Sequence, residues 1–154
     1  MIGIKASILV LSVALLLLTL LLSTCASAAW LQFQHDELNS GTTAELAPVS
    51  GVDVAWKAQV HSDDWQMAGV DIEPIVADGK VFVLDAQAYV TAFDACSGET
   101  LWETPLLQYG WQYELSTSAY ADGTLYVATK GGVIYALDAD SGVVLWATPL
   151  SSYT

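Results

Sequence analysis

Three observations predict an all-β fold of repeated four-stranded antiparallel sheets. Residues 77–106 (ADGKVFVLDAQAYVTAFDACSGETLWETPL) and 121–150 (ADGTLYVATKGGVIYALDADSGVVLWATPL) align without a gap at a register of 44 residues, with 14 of 30 positions identical. The apolar segments between turns are short and rich in β-branched and aromatic residues, too brief for helices. Turn signals, Asp-Gly and then Ser-Gly, recur at the same places in both copies. A fixed period of this length marks a repeat architecture.

Taken in chain order, residues 1–28 come first. Ala6 to Thr24 is unbroken by charge, follows Lys5, and leads into Cys25-Ala-Ser-Ala-Ala. That is the layout of a secretory signal, with cleavage expected near Ala28 or Ala29. Two alternatives stay open. The run from Ala6 to Leu22 is at the lower limit of bilayer-spanning length and would serve as an uncleaved anchor. Leu22-Ser23-Thr24-Cys25 resembles the lipobox of bacterial lipoproteins, in which the cysteine, here Cys25, is lipidated. All three export the mature chain to the periplasm, the cell surface or the extracellular space. After cleavage Cys96 would stand alone, with no intrachain disulfide, on a turn where the second copy has Asp140.

Residues 29–70 form an N-terminal segment, in which Val54-Ala55-Trp56 has the pattern of an isolated final strand, 46 residues before Trp102. Residues 71–106 and 107–154 then make two repeats. In each, a first strand (Ile72 to Val76, Ser116 to Tyr120) meets Asp-Gly, whose tight turn needs positive φ. A second strand follows (Val81 to Leu84, Leu125 to Ala128), then a loop, a third strand (Tyr89 to Phe93, Val133 to Leu137), a Ser-Gly turn and a fourth strand ending at Trp102 or Trp146. Four strands per 44 residues is the content of one β-propeller blade. Near-continuous apolar strands are what a blade buried on both faces requires, with each Trp wedged between neighbours.

Ala92-Phe93-Asp94-Ala95-Cys96-Ser97-Gly98 to Trp102, and Ala136-Leu137-Asp138-Ala139-Asp140-Ser141-Gly142 to Trp146, both match AxDxx[ST]GxxxW. This resembles the tryptophan-docking motif of the pyrroloquinoline quinone (PQQ)-like β-propeller repeats, found in quinoprotein dehydrogenases and in many non-enzymatic exported proteins. The resemblance assigns blade-docking roles to Ala92, Asp94, Gly98, Trp102, Ala136, Asp138, Gly142 and Trp146. Trp30 to Asp36 with Asn39-Ser40-Gly41 resembles the opening segment of exported members, and the strand near Trp56 resembles one that closes the ring by completing the last blade. Propellers have about 4–8 blades. The expectation is therefore an incomplete ring of two blades plus an N-terminal strand, the N-terminal piece of a longer protein.

Charge narrows the partners. With 17 Asp plus Glu against 4 Lys plus Arg, the formal charge is -13. Nucleic-acid binding rests on cationic side chains neutralising phosphates, so that class is excluded. Anionic lipid headgroups are disfavoured likewise, leaving the N-terminal segment as the membrane contact.

The loops expected on the ligand face carry Asp63, Asp64 and Trp65 in one and Tyr109, Trp111 and Tyr113 in the other. Aromatic rings beside carboxylates suit a sugar, peptide or cationic ligand; the alternative is that Trp65 and Trp111 cap the blades. Two adjacent aspartates fall short of the six or more oxygens of a calcium site. His35 and His61 lack zinc-motif spacing and a GxSxG nucleophile elbow to serve. Enzymes of the resembled family hold PQQ with an adjacent-Cys disulfide and a calcium ion. No adjacent Cys pair exists here, so no cofactor is predicted, and PQQ and calcium belong only to the dehydrogenase alternative. The leading expectation is an exported binding or scaffolding module engaging a protein, carbohydrate or other small molecule. Such a module resembles the lipoprotein propeller that helps assemble outer-membrane β-barrels.

Overall fold

The structure is a computed structural model in which residues 29–44, 46, 50–60, 69–70, 72–106 and 116–150 are described. Two four-stranded antiparallel sheets contain every strand among the described residues: β1 (Ile75–Ala77), β2 (Lys80–Leu84), β3 (Tyr89–Asp94) and β4 (Thr100–Pro105), then β5 (Ala119–Ala121), β6 (Thr124–Ala128), β7 (Val133–Asp138) and β8 (Val144–Pro149). Within each sheet the strands lie in sequence order. These are propeller blades: meanders that start at an inner strand and finish at an outer one.

The turns explain the meander. Asp78 and Gly79 have φ of 47° and 70°, and Asp122 and Gly123 have 47° and 75°. Two consecutive left-handed residues make the two-residue turn whose twist matches the flanking strands. Between β3 and β4 the Asp94 carboxylate accepts hydrogen bonds from the Cys96 and Ser97 amides at 3.0 and 2.7 Å, and from the Ser97 hydroxyl at 2.9 Å. Asp138 does the same for Asp140, Ser141 and the Ser141 hydroxyl at 3.2, 2.8 and 2.6 Å. A side chain that satisfies the turn's own amides is the physical reason for Asp at this place.

The core is one cluster shared by both blades. Ile75, Phe82, Leu84 and Val90 from the first join Leu125, Val127, Tyr135 and Leu137 from the second, with Trp102 and Tyr120 packed against it. Several strand boundaries differ from those read in the sequence. The inner strands are only three residues long, and the outer strands run past Trp102 and Trp146 to Pro105 and Pro149. Short inner strands follow from crowding near the axis, where β1 and β5 approach each other. Burial on both faces also fails at the outer edge: every residue of β8 is exposed. Residues 51–60, including Trp56, form no strand, because no described strand lies beside them to supply a ladder.

Candidate functional site

The motif residues meet at the seam between blades. Both outer strands carry a register shift, between Ala92 and Phe93 in the first blade and between Ala136 and Leu137 in the second. This bulge leaves Ala92 opposite Trp102 and Ala136 opposite Trp146. A bulge re-aims the side chains beside it, and alanine, fully buried at both places, leaves room beside a large ring.

Trp102 reaches across to the next blade. Its indole N–H donates to the Ala139 carbonyl at 3.1 Å, and its ring lies over Gly142. A Cβ on Gly142 would stand 2.5 Å from the ring and 2.7 Å from the Thr104 hydroxyl, and the residue has φ +71°. Thr104 itself donates to the Gly142 carbonyl at 2.7 Å. Trp56 repeats the arrangement on the first blade, donating to Ala95 at 2.9 Å with its ring 2.6 Å from where a Cβ on Gly98 would be. Glycine is thus required twice over, by backbone angle and by contact. Trp146 is 45% exposed and lies 6.1 Å from the Tyr126 ring.

Three further contacts at the seam carried no signal in the motif. Lys80 on β2 forms an ion pair with Asp140 at 2.7 Å. The Tyr120 hydroxyl donates to Asp78 and accepts from the Gly123 amide at 3.2 Å, while its ring stacks on Phe82 at 6.1 Å. Burial, and then the hydrogen bond to Asp78, push the Tyr120 phenol above its ordinary value of 10.0. The opening segment joins both inner strands: Trp30 exchanges two backbone hydrogen bonds with Val76 at 2.7 and 3.0 Å, and the Leu31 carbonyl accepts from Tyr120 at 2.8 Å. Val76 and Tyr120 are repeat equivalents, so one extended segment ties the two blades at matching positions.

Because Trp30 runs antiparallel to β1, the chain after it leads to the face where β1 and β5 begin. There Gln32, Phe33, Glu37 and Asn39 face Thr117, Ser118 and Ala119 across a cleft of about 480 Å³. The carboxylates are held ionised by their turns. The Ser40 hydroxyl and then the Ser40 amide lower Asp36. The Ser97 amide and hydroxyl lower Asp94, and the Ser141 hydroxyl and amide lower Asp138.

Asp63, Asp64, Trp65, Tyr109, Trp111, Tyr113, His61 and Cys25 lie outside the described residues. With residues 1–28 still attached Cys96 is disulfide-bonded; the expectation of a lone thiol concerns the cleaved chain. No group of three or more His, Cys, Asp or Glu capable of holding a metal occurs among the described residues. Nor is any helix among them long and apolar enough to cross a membrane.

A family profile described as outer membrane protein assembly factor BamB matches residues 86–154. Quinohemoprotein alcohol dehydrogenase from Comamonas testosteroni superimposes with a TM-score of 0.69 over 82% of this chain and 20% of its own, at 22% identity. The chain is similar to that family over residues 86–154 and has the β-propeller fold. The quinohemoprotein alcohol dehydrogenase ADHIIG of Pseudomonas putida HK5 gives the same fold, with a TM-score of 0.61, 19% identity, and coverage of 80% of this chain and 19% of its own. BamB from Moraxella catarrhalis aligns at a TM-score of 0.43 and 22% identity, over 47% of this chain and 21% of its own. The chain thus spans about a fifth of these structures. No curated protein matches it.

Proposed function

We propose that this chain is an exported PQQ-like propeller segment that works as a binding or scaffolding module at the cell envelope or surface. The observation that carries the reading is the use made of the repeated residues. Ala92, Asp94 and Gly98, like Ala136, Asp138 and Gly142, serve turn geometry or the seating of a tryptophan from the preceding segment. What differs between the copies is left for recognition. The profile described as an outer membrane protein assembly factor supports an assembly-type role, and the charged-then-apolar layout of residues 1–28 supports export. Fold likeness to alcohol dehydrogenases carries no chemistry by itself.

The test is direct. Purified protein is titrated with PQQ and calcium while quinone absorbance and alcohol-dependent dye reduction are followed. The reading expects neither a spectral change nor turnover; alcohol-dependent dye reduction would overturn it in favour of a dehydrogenase segment. A lipid-anchored, assembly-type propeller is the second reading, favoured by Cys25 and the assembly-factor profile. Mass spectrometry of the mature N-terminus decides it: a diacylglyceryl group on Cys25 establishes the anchor, and a free N-terminus at Ala29 or Trp30 removes it.

A further inference from the structure

The cleft beside the opening segment has a preformed wall. Three of the six described non-glycine residues with positive φ fall there: Gln34 (54°), His35 (80°) and Asn39 (52°). Asp78 and Asp122 belong to hairpin turns and Ala88 to the β2–β3 loop, so only the opening segment gathers such residues away from a strand connection. Backbone of this kind persists when its surroundings over-determine it, and it concentrates at ligand clamps. The constraints are visible. Asp36 accepts from the Leu38 and Ser40 amides, each at 3.0 Å, and from the Ser40 hydroxyl, while Gly41 donates to the Gln34 carbonyl at 2.9 Å. Together with the ties from Trp30 and Leu31 to the inner strands, these bonds hold the wall in place without a ligand.

The lining specifies a chemistry. Phe33 offers an exposed ring face (47% exposed). Gln32 and Asn39 bring carboxamides, each both donor and acceptor, and Thr117 and Ser118 add hydroxyl side chains on the opposite wall. Among the described lining residues Glu37 is the single charged one, and none is cationic. An anionic ligand would find no counter-charge here and would meet the field of a chain carrying -13. A cationic ligand would find one carboxylate among the described lining residues. A neutral polyol meets a better match: paired amides and hydroxyls for vicinal hydroxyl groups, and a ring for the apolar face of a pyranose. The volume, about 480 Å³, lies within the ordinary range for small-molecule sites and admits one or two sugar units.

We infer that this cleft is a carbohydrate subsite, taking a neutral mono- or disaccharide unit against Phe33, with Gln32 and Asn39 reading its hydroxyls. The inference rests on the binding-module reading and names the ligand class for its loop face. The experiment uses the full chain and three probes, maltose, cellobiose and N,N′-diacetylchitobiose, at millimolar concentration, with saturation-transfer difference NMR and calorimetry. At least one probe is expected to bind. Phe33→Ala should weaken it about three- to tenfold through loss of the ring contact, and Asn39→Asp, which keeps a residue tolerant of positive φ, should also weaken it. Thermal melts of both variants should match the wild type, because Phe33 is about half exposed and lies outside the core cluster. Binding of none of the three sugars, or binding unchanged in both variants, would overturn the proposal. So would a lysine-rich peptide that binds in a Phe33-dependent manner while the sugars do not. If the sugars fail and the quinone titration is also silent, the sugar site falls while the scaffold reading stands. Dye reduction in that titration would sink the scaffold reading whatever the sugars do.

Discussion

Replacing Gly142 with alanine measures how much the blade seam depends on a missing side chain. Two effects add. At φ +71° an L-residue is in the left-handed region, which costs about 1–2 kcal/mol for alanine. The new methyl would then sit 2.5 Å from the Trp102 ring and 2.7 Å from the Thr104 hydroxyl, so one of them must move. Trp102 is held in β4 and Thr104 donates to the Gly142 carbonyl, so neither yields freely, and overpacking of this sort costs about 1–3 kcal/mol. If the indole swings out, its hydrogen bond to Ala139 goes as well, about 1 kcal/mol more. Gly123 is the control: φ is +75° and a Cβ there meets nothing within 4 Å. Gly123→Ala should therefore show the backbone cost alone, about 1–2 kcal/mol, and Gly142→Ala roughly 2 kcal/mol beyond it. Urea denaturation followed by tryptophan fluorescence and circular dichroism reads both, with coincident probes required before free energies are compared. Equal midpoints for the two variants would refute the steric account of the seam.

Gly98→Ala should fall between those two, because Trp56, which crowds the new methyl, is not fixed in a strand and can retreat; the same urea series checks it. Tyr120→Phe should cost about 1 kcal/mol by removing the bond to Asp78 and the acceptor for Gly123. In the wild type one tyrosine should ionise late in an ultraviolet pH titration, and this laggard should be missing from the variant. A phenol whose folded value is raised contributes stability that is complete below pH 10.0 and is lost as pH rises through the folded value. The aspartates act in the opposite sense. Asp36, Asp94 and Asp138 are lowered from 3.8 by their turn hydrogen bonds, so their contribution is complete above that pH and disappears as pH falls through the folded values. Melting temperature should accordingly drop on acidification below about pH 4, and less steeply in Asp94→Asn, Asp138→Asn double variants. Lys80→Met should change stability by less than about 1 kcal/mol, since its partner Asp140 is 86% exposed; a larger loss in the urea midpoint would show that the pair matters more than its exposure implies.

The blades were legible because their determinants are local and repeated. Asp-Gly reports two left-handed residues in succession, and Asp94 and Asp138 satisfy amides only two and three positions away. Strand ends were less legible. Whether Ile72 or Ser116 joins a ladder depends on the approach of β1 to β5 at the axis, which no local pattern encodes, and the inner strands begin only at Ile75 and Ala119. The fourth strands run past Trp102 and Trp146 to Pro105 and Pro149, although the repeated motif ends at the tryptophan. In the structure it lies within a strand whose bulge aims it sideways. Tyr120 shows the other limit. Its repeat equivalent is Val76, so periodicity argues for nothing but an apolar strand residue, whereas its hydroxyl finds Asp78 from 42 residues away. The cleft could not be read either, since its two walls come from segments about 80 residues apart, brought together by the hydrogen bond of Tyr120 to Leu31 and the bridge of Trp30 to Val76.

Identity between the copies has a geometric cause beyond shared ancestry of sequence. A head-to-tail interface joins two different surfaces, one on each unit, so every unit that continues the array must carry both. Here one surface is the tryptophan on the outer strand, and the other is the Ala-x-Asp-x-x-Ser-Gly turn that receives it from the preceding segment. Trp56 on Gly98 and Trp102 on Gly142 show the same fit made twice, once from a segment without strand structure and once from β4. A fit that survives such a change in the donor's backbone is specified by the receiving turn, through its exposed carbonyl and its missing Cβ. Contacts that occur at only one seam do different work. Lys80 with Asp140, and Tyr120 with Asp78, have no counterpart in the aligned residues of the other copy, where Thr124 replaces Lys80 and Cys96 replaces Asp140. The repeated residues therefore define how any blade seats on the next, and the unrepeated ones distinguish this pair of blades from another.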